Sequence, residues 1–184
     1  VQGAGSLYQR THSSVAPLGT GYSVAYMSVI EKTDGVEIIF DTTANELIVT
    51  DGKVTGVKAE DKDGNTYTFT ANKNVILSTG GFAGNPEMVQ RFNTSGKGED
   101  LSKVNNTNLP GMTGDGIAMA EAVGAALRDM DQIQLLQVCS PKTGKLHANV
   151  YPNSVAGYLF LNKEGKRFVR EDGRRDDISL AALQ

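Results

Sequence analysis

The run Val75-Ile76-Leu77-Ser78 leading directly into Thr79-Gly80-Gly81 constrains this chain most. An apolar run without polar alternation suits a strand covered on both faces, as in a parallel sheet. Paired glycines at its carboxyl end let backbone approach a flat or phosphorylated ligand. Open α/β sheets bind ligands at that end of their strands. A plain strand-to-helix turn would use the same residues.

The flanking sequence supplies the rest of the architecture. Gly19 to Thr33 reads as a helix with Val24, Met27 and Ile30 as its apolar stripe, followed by a short strand at Val36 to Phe40. Ala44 to Thr50, Lys53 to Asp61 and Thr66 to Phe69 alternate around Asp51-Gly52 and Asp63-Gly64, which predicts an antiparallel meander. Asn74 to Ser78 is the expected buried strand. Asn85 or Pro86 opens a helix to about Phe92, with proline early as helices prefer. Residues 93–111 read as loop, and Gly116 to Gly124 as a helix. Ala126 to Arg128 and Gln132 to Val138 are strand-like. Gly157 to Asn162 and Arg167 to Arg170 predict a hairpin about Glu164-Gly165. A final helix runs from Asp176 to Leu183 with Asp176 or Asp177 as N-cap. The order places the chain in the α/β class, as a dinucleotide-binding domain with an inserted antiparallel meander. Gly19-Thr20-Gly21 comes nearest to a G-x-G-x-x-G loop, but lacks the third glycine and a preceding strand.

Composition narrows the function classes. With 184 residues, 39% of them apolar, the chain is long enough for a real core. The net charge of −3, with basic residues scattered outside Lys163 to Arg175, favours neither nucleic acid nor an anionic membrane. No apolar stretch is long enough to span a bilayer. The opening VQGAGSLYQR lacks a leader pattern, and both ends read as cut points within a longer protein. The single cysteine, Cys139, excludes an internal disulfide and a Cys-based zinc site, and its apolar neighbours predict burial. His12 and His147 lack metal-ligand spacing, so no metal is expected. No G-x-S-x-G elbow is present.

Two further constellations carry chemistry. Thr113-Gly114-Asp115-Gly116 leads a helix, where backbone N–H groups suit an anion or an electron-rich ring edge. An ordinary Thr or Asp cap would read the same way. Asn162 to Glu171 forms a charged hairpin, followed by Arg174-Arg175-Asp176 at a helix start. Cations at the positive end of a helix cost energy, so the arginines are expected opposite Glu171, Asp172, Asp176 or an anionic ligand. A solvated charged hairpin is the plainer alternative.

Together, VILSTGGFAGN, LPGMTGDGIAMAEAVGAAL and NKEGKRFVRE followed by RRD resemble the FAD-dependent fumarate reductase and succinate dehydrogenase flavoprotein family. The likeness is greatest to its soluble fumarate, urocanate and enoate reductase branch, and it covers nearly the whole chain in order. It implies a partial FAD-binding domain over residues 1–130 and the start of a substrate-capping domain over residues 131–184. It implies that Thr79, Gly80 and Gly81 lie against the ADP half of FAD, with Thr43 and Ala44 near the adenine. Gly19, Thr20 and Gly21 would approach the flavin. Thr113, Gly114 and Asp115 would line the isoalloxazine and the substrate pocket. In such enzymes an arginine after the cap hairpin donates a proton while flavin N5 delivers hydride. That arginine falls on Arg175, with Arg174 as its neighbouring alternative.

Where dicarboxylate enzymes of the family carry a histidine, this chain has Leu136, and the usual relay Glu and Arg align with Tyr151 and Ser154. A small unsaturated substrate with one carboxylate, such as urocanate or another enoate, is therefore expected. The resemblance also implies a haem or FMN electron donor in the parent protein. The G-x-G-x-x-G unit and the last flavin-contacting segment are not in this sequence, so the isolated chain is expected to bind FAD weakly and to be inactive. A 3-ketosteroid dehydrogenase, using Tyr151 or Tyr158 as acid, and a non-catalytic binding module are the competing readings.

Overall fold

The computed structural model describes residues 12, 14–17, 19–94, 99–136, 139, 140, 142–144 and 159–184. Val138, His147, Tyr151, Ser154, Gly157 and Tyr158 lie outside the described residues. The chain divides into two compact units. One holds the described residues up to Phe40; the other holds everything described from Asp41 onward.

In the first unit, α1 spans Thr20–Ile30, with Gly19 as its N-cap. Gly21 is needed there because a Cβ would meet the Ser14 hydroxyl oxygen at 1.9 Å. The strand expected at Val36 to Phe40 does not form, and Val36, Ile38, Ile39 and Phe40 are exposed. Apolar content alone raised that expectation. A strand also needs a neighbour to satisfy its N–H and C=O groups.

The second unit is organised around a three-stranded antiparallel sheet in the order β1-β2-β3. Its strands are β1 (Thr42–Thr50), β2 (Lys53–Asp61) and β3 (Thr66–Thr70). The first hairpin closes on Asp51 and Gly52 with φ of 50° and 74°. Positive φ at both central residues gives the turn a twist that matches the strands. In the second turn Asp61 takes the place of a backbone cap. Its Oδ1 accepts from the amides of Asp63 and Asn65, both at 2.9 Å. Its Oδ2 accepts from Asn65 Nδ2 at 2.9 Å and the Tyr67 hydroxyl at 2.8 Å. These donors, Asn65 foremost, hold the Asp61 carboxyl down at about 2. The sheet buries Leu47 and Ala59 on one face. Lys58 and Glu46 pair on the exposed side at 2.9 Å, where such pairs contribute little.

After the sheet come α2 (Pro86–Phe92), a 3-10 turn (Leu101–Lys103) and α3 (Asp115–Ala122). Asn85 caps α2 by accepting from the Met88 amide at 3.0 Å, and Pro86 follows at a position that needs no N–H. Gln90 Oε1 accepts from the Leu101 amide at 3.0 Å, tying the 3-10 turn to α2. Arg91 grips Glu121 with both terminal guanidinium nitrogens, Nη1 and Nη2, joining α2 to α3. Met88, Leu101 and Met119 are buried, and α3 packs on β1.

Several expectations fail here for one reason. Asn74 to Ser78 is not part of a ladder among the described residues, and Ile76 is 85% exposed. Ala126 to Arg128 and residues 132–136 are likewise irregular. Among the described residues the expected hairpin near the end shows one bridge, Leu161 to Arg167, around Gly165. Cys139 is exposed rather than core. Apolar runs mark strands only where partners lie alongside. The last helix, α4, spans Arg175–Leu183 with Arg174 as N-cap. Asp176 and Asp177 fall in its first turn instead, where their charge suits the positive helix end.

The Asp61 cap makes acid stability testable. Its folded pKa, about 2, lies below the ordinary 3.8, so its contribution is present above pH ~4 and lost as pH falls toward 2. Asp61→Ala should therefore be less stable than the parent chain at neutral pH. The gap should close as pH drops through that window, as read by urea denaturation at a series of pH values.

Candidate functional site

Two glycine-rich segments, Thr79 to Gly84 and Pro110 to Gly116, interlock in the second unit. The Gly84 amide donates to the Met112 carbonyl at 2.7 Å. Asn85 Nδ2 donates to the Thr113 carbonyl at 3.1 Å. Gly80 has φ +85°, and a Cβ there would strike the Met112 sulfur at 2.2 Å. Gly114 has φ +83°, and a Cβ there would lie 2.3 Å from the Met88 sulfur and 2.9 Å from Phe82 Cβ. At Gly116 a Cβ would meet Thr79 Oγ1 at 2.1 Å. At Gly80 and Gly114 glycine suits both the left-handed backbone and the close approach; at Gly116 it suits the close approach.

Gly81 differs from these. A Cβ there would meet nothing within 4 Å. A Cβ at this position would point into open space beside the interlocked loops. Gly114 is the N-cap of α3 and has no side chain to satisfy the helix's first amides. Asp115 is exposed in the same turn and offsets the positive helix end. The end therefore suits a hydrogen-bonding ring better than a phosphate.

The structure thus brings together Thr79, Gly80, Gly81, Thr113, Gly114 and Asp115. Thr43 and Ala44 open β1, the strand against which α3 packs, beside a bulge between Ala44 and Glu46. Gly19, Thr20 and Gly21 belong to the other unit, at the start of α1.

Arg174 and Arg175 stand on a separate scaffold. Arg174 is exposed and Arg175 half-buried at the start of α4. Two acids expected opposite them are engaged by other arginines. Glu171 takes the Arg167 fork, and Asp172 takes the Arg170 fork at 2.9 and 2.7 Å. These bonds hold both carboxyls below their usual range and raise Arg170. Sequence spacing alone could not rank four arginines competing for these acids.

Sequence reasoning passed over Met112 and the Asn85 side chain, although they lock the two loops. The Asn-Pro pair was legible as a helix start; its second bond, to Thr113, was not. Among the described residues no group of three metal-ligating side chains converges, and no helix is long and apolar enough to cross a membrane.

Residues 4–184 match the family described as FAD binding domain. The chain belongs to this FAD-binding flavoprotein family. The open approach at Gly81 and the start of α3, which has no side-chain cap, fit such a cofactor. The chain is 39% identical over 179 residues to an NADH:acrylate oxidoreductase of Vibrio harveyi, covering 96% of this chain and 17% of that protein. It is 38% identical to a urocanate reductase of Eggerthella lenta, covering 91% and 28%. It is 34% identical to a fumarate reductase (cytochrome) of Shewanella frigidimarina, covering 97% and 30%. The chain therefore spans less than a third of the length of these relatives. Among solved structures it is similar to a 3-ketosteroid-Δ4-(5α)-dehydrogenase of Rhodococcus jostii RHA1, with 29% identity and a TM-score of 0.57. That match covers 81% of this chain and 28% of the dehydrogenase.

The two kinds of glycine predict opposite outcomes. Gly114→Ala should destabilise the chain by about 2–3 kcal/mol, from left-handed strain plus overpacking. Gly81→Ala should change stability by less than about 0.5 kcal/mol, as at other open surface sites. Urea denaturation of both variants measures the contrast.

Proposed function

We propose that this chain forms the middle of the flavin site, and carries the proton donor, of an FAD-dependent reductase acting on the C=C bond of a small unsaturated carboxylate. The interlocked glycine loops, with Gly81 open beside them, carry the reading. Thr79 to Gly81 would lie against the ADP half of FAD, Thr43 and Ala44 near its adenine, and Thr113 to Asp115 along the flavin ring. Gly19 to Gly21 would approach the flavin. Residues 1–130 would belong to the FAD-binding domain, with the meander as its insertion, and residues 131–184 would begin a substrate cap.

Bound FAD supplies the hydride. The residues of this chain must then deliver the matching proton. Hydride addition to the β-carbon leaves negative charge on the carbon beside the carboxylate. A proton from the Arg175 guanidinium completes the saturated product, with Arg174 as the alternative donor. A guanidinium hardly deprotonates in water, so the step needs a site closed to water and a strongly basic acceptor. The same charge steadies the substrate carboxylate. Asp176 and Asp177, in the first turn of α4, offset the cost of placing cations at that helix end.

Acrylate, urocanate and fumarate, named for the relatives, are all unsaturated carboxylates. Leu136 in place of a carboxylate-binding histidine favours a substrate with one carboxylate, and the acrylate and urocanate relatives agree. The names NADH and cytochrome support an electron donor outside this chain, of the haem or FMN kind. The steroid dehydrogenase likeness favours a second flavin reading, in which a tyrosine acts as acid. The Arg174-Arg175 pair and the named reductases favour the first. These relatives are enzymes, which weighs against a non-catalytic module.

Two outcomes test the proposal. This chain alone should bind FAD weakly and be inactive, because each missing charge-assisted contact costs roughly 1.5–3 kcal/mol; a purified chain that stays yellow would contradict this. In the flavin-loaded protein that contains this segment, Arg175→Ala should lower kcat at least ~100-fold with the flavin still bound. Steady-state assays with acrylate, urocanate, cinnamate and fumarate measure it and rank the substrates.

A further inference from the structure

Glu171 is the one charged side chain that is buried among the described residues, 7% exposed. Burying a carboxylate costs free energy unless its oxygens are matched by donors. Here Oε1 accepts from the Phe160 amide at 3.0 Å and from Arg167 Nε at 3.1 Å, while Oε2 accepts from Arg167 Nη2. The donors come from both arms of the turn around Gly165, so the carboxylate ties the two arms to the residue that leaves them. The chain is then pinned at each step toward α4. The Gly173 amide donates to the Arg170 carbonyl at 3.2 Å. A Cβ on Gly173 would lie 3.1 Å from that carbonyl oxygen and 3.6 Å from Ile178, so the turn is close there. Ile178, 2% exposed, donates its amide to the Arg174 carbonyl at 3.1 Å. Arg174 and Arg175 therefore sit between two buried anchors, Glu171 before them and Ile178 after them.

We propose that Glu171 is a positioning residue for the proton transfer: its buried, doubly engaged carboxylate sets where the start of α4 holds the Arg175 guanidinium. The inference rests on the reading that Arg175 donates the proton. An apolar residue could fill the same space, but it would not fix direction. A fork on Arg167 and a bond to Phe160 N fix both the distance and the orientation of the backbone leaving the hairpin. A misplacement of about 1 Å in a reacting group can cost on the order of 100-fold in rate, so a rigid anchor at this point matters to turnover. The lowered pKa of Glu171, caused first by Arg167 and then by the Phe160 amide, agrees with a carboxylate that stays charged at working pH.

The test uses the flavin-loaded protein that contains this segment. Glu171→Gln keeps an acceptor for Phe160 N but loses the charged fork. It should lower kcat about 10- to 100-fold at full flavin occupancy. It should also raise the solvent deuterium isotope effect on kcat, because proton delivery becomes slower while reduction of the flavin by its donor stays unchanged. Should Glu171→Gln not fold, Arg167→Lys, which leaves a point charge in place of the fork, carries the same readouts. A kcat like that of the unaltered protein, or a lower kcat with an unaltered isotope effect, would overturn the inference. Arg175→Ala separates the two ideas. Retained turnover there defeats the proton-donor reading itself, whereas a dead Arg175→Ala beside a fully active Glu171→Gln defeats only the role of Glu171.

Discussion

The bond from the Asn85 side chain to the Thr113 carbonyl joins positions 28 residues apart, and the candidate cofactor site depends on it. Asn85 serves twice: Oδ1 caps α2 and Nδ2 holds the next glycine loop. The neighbouring Gly84 amide holds Met112 in the same way. Backbone carbonyls in a turn would otherwise need water or another donor. Satisfying them from α2 aligns the start of α3 beside the Thr79-Gly80-Gly81 turn. Glycine at 80, 114 and 116 lets the segments approach at distances a Cβ would forbid.

The second organising element works by charge rather than by close packing. Arg167 with Glu171 and Arg170 with Asp172 settle which acids belong to which arginines. These pairings form within a few residues of one another, so little chain entropy is lost in making them. They leave the start of α4 to be shaped by Asp176 and Asp177, whose charges complement the helix dipole.

Legibility in the sequence followed the range of the forces. The meander was readable because Asp51-Gly52 and Asp63-Gly64 each dictate a turn locally, and β1 to β3 lie within two residues of their expected bounds. The start of α2 was readable for the same reason, from Asn85-Pro86. The helix at Arg175 was readable in extent but not in cap, because Asp176 and Asp177 suit the first turn as well as the cap. Val36 to Phe40, Asn74 to Ser78 and residues 132–136 misled because apolar content was taken for pairing. Ile76, 85% exposed, shows that composition does not supply a neighbouring strand.

The sequence by itself determined the turns, the glycines that tolerate positive φ, and the order of motifs that marks an FAD-binding family. These rest on hydrogen bonds and steric limits within a few residues. Only the tertiary structure decided that Gly80 meets Met112, that Thr79 fits against Gly116, and that Gly81 opens outward. It also decided that Glu171 is buried under Arg167 rather than paired in solvent. Those facts depend on which distant segments share a surface, and on how much water they exclude. No local pattern of residues encodes that.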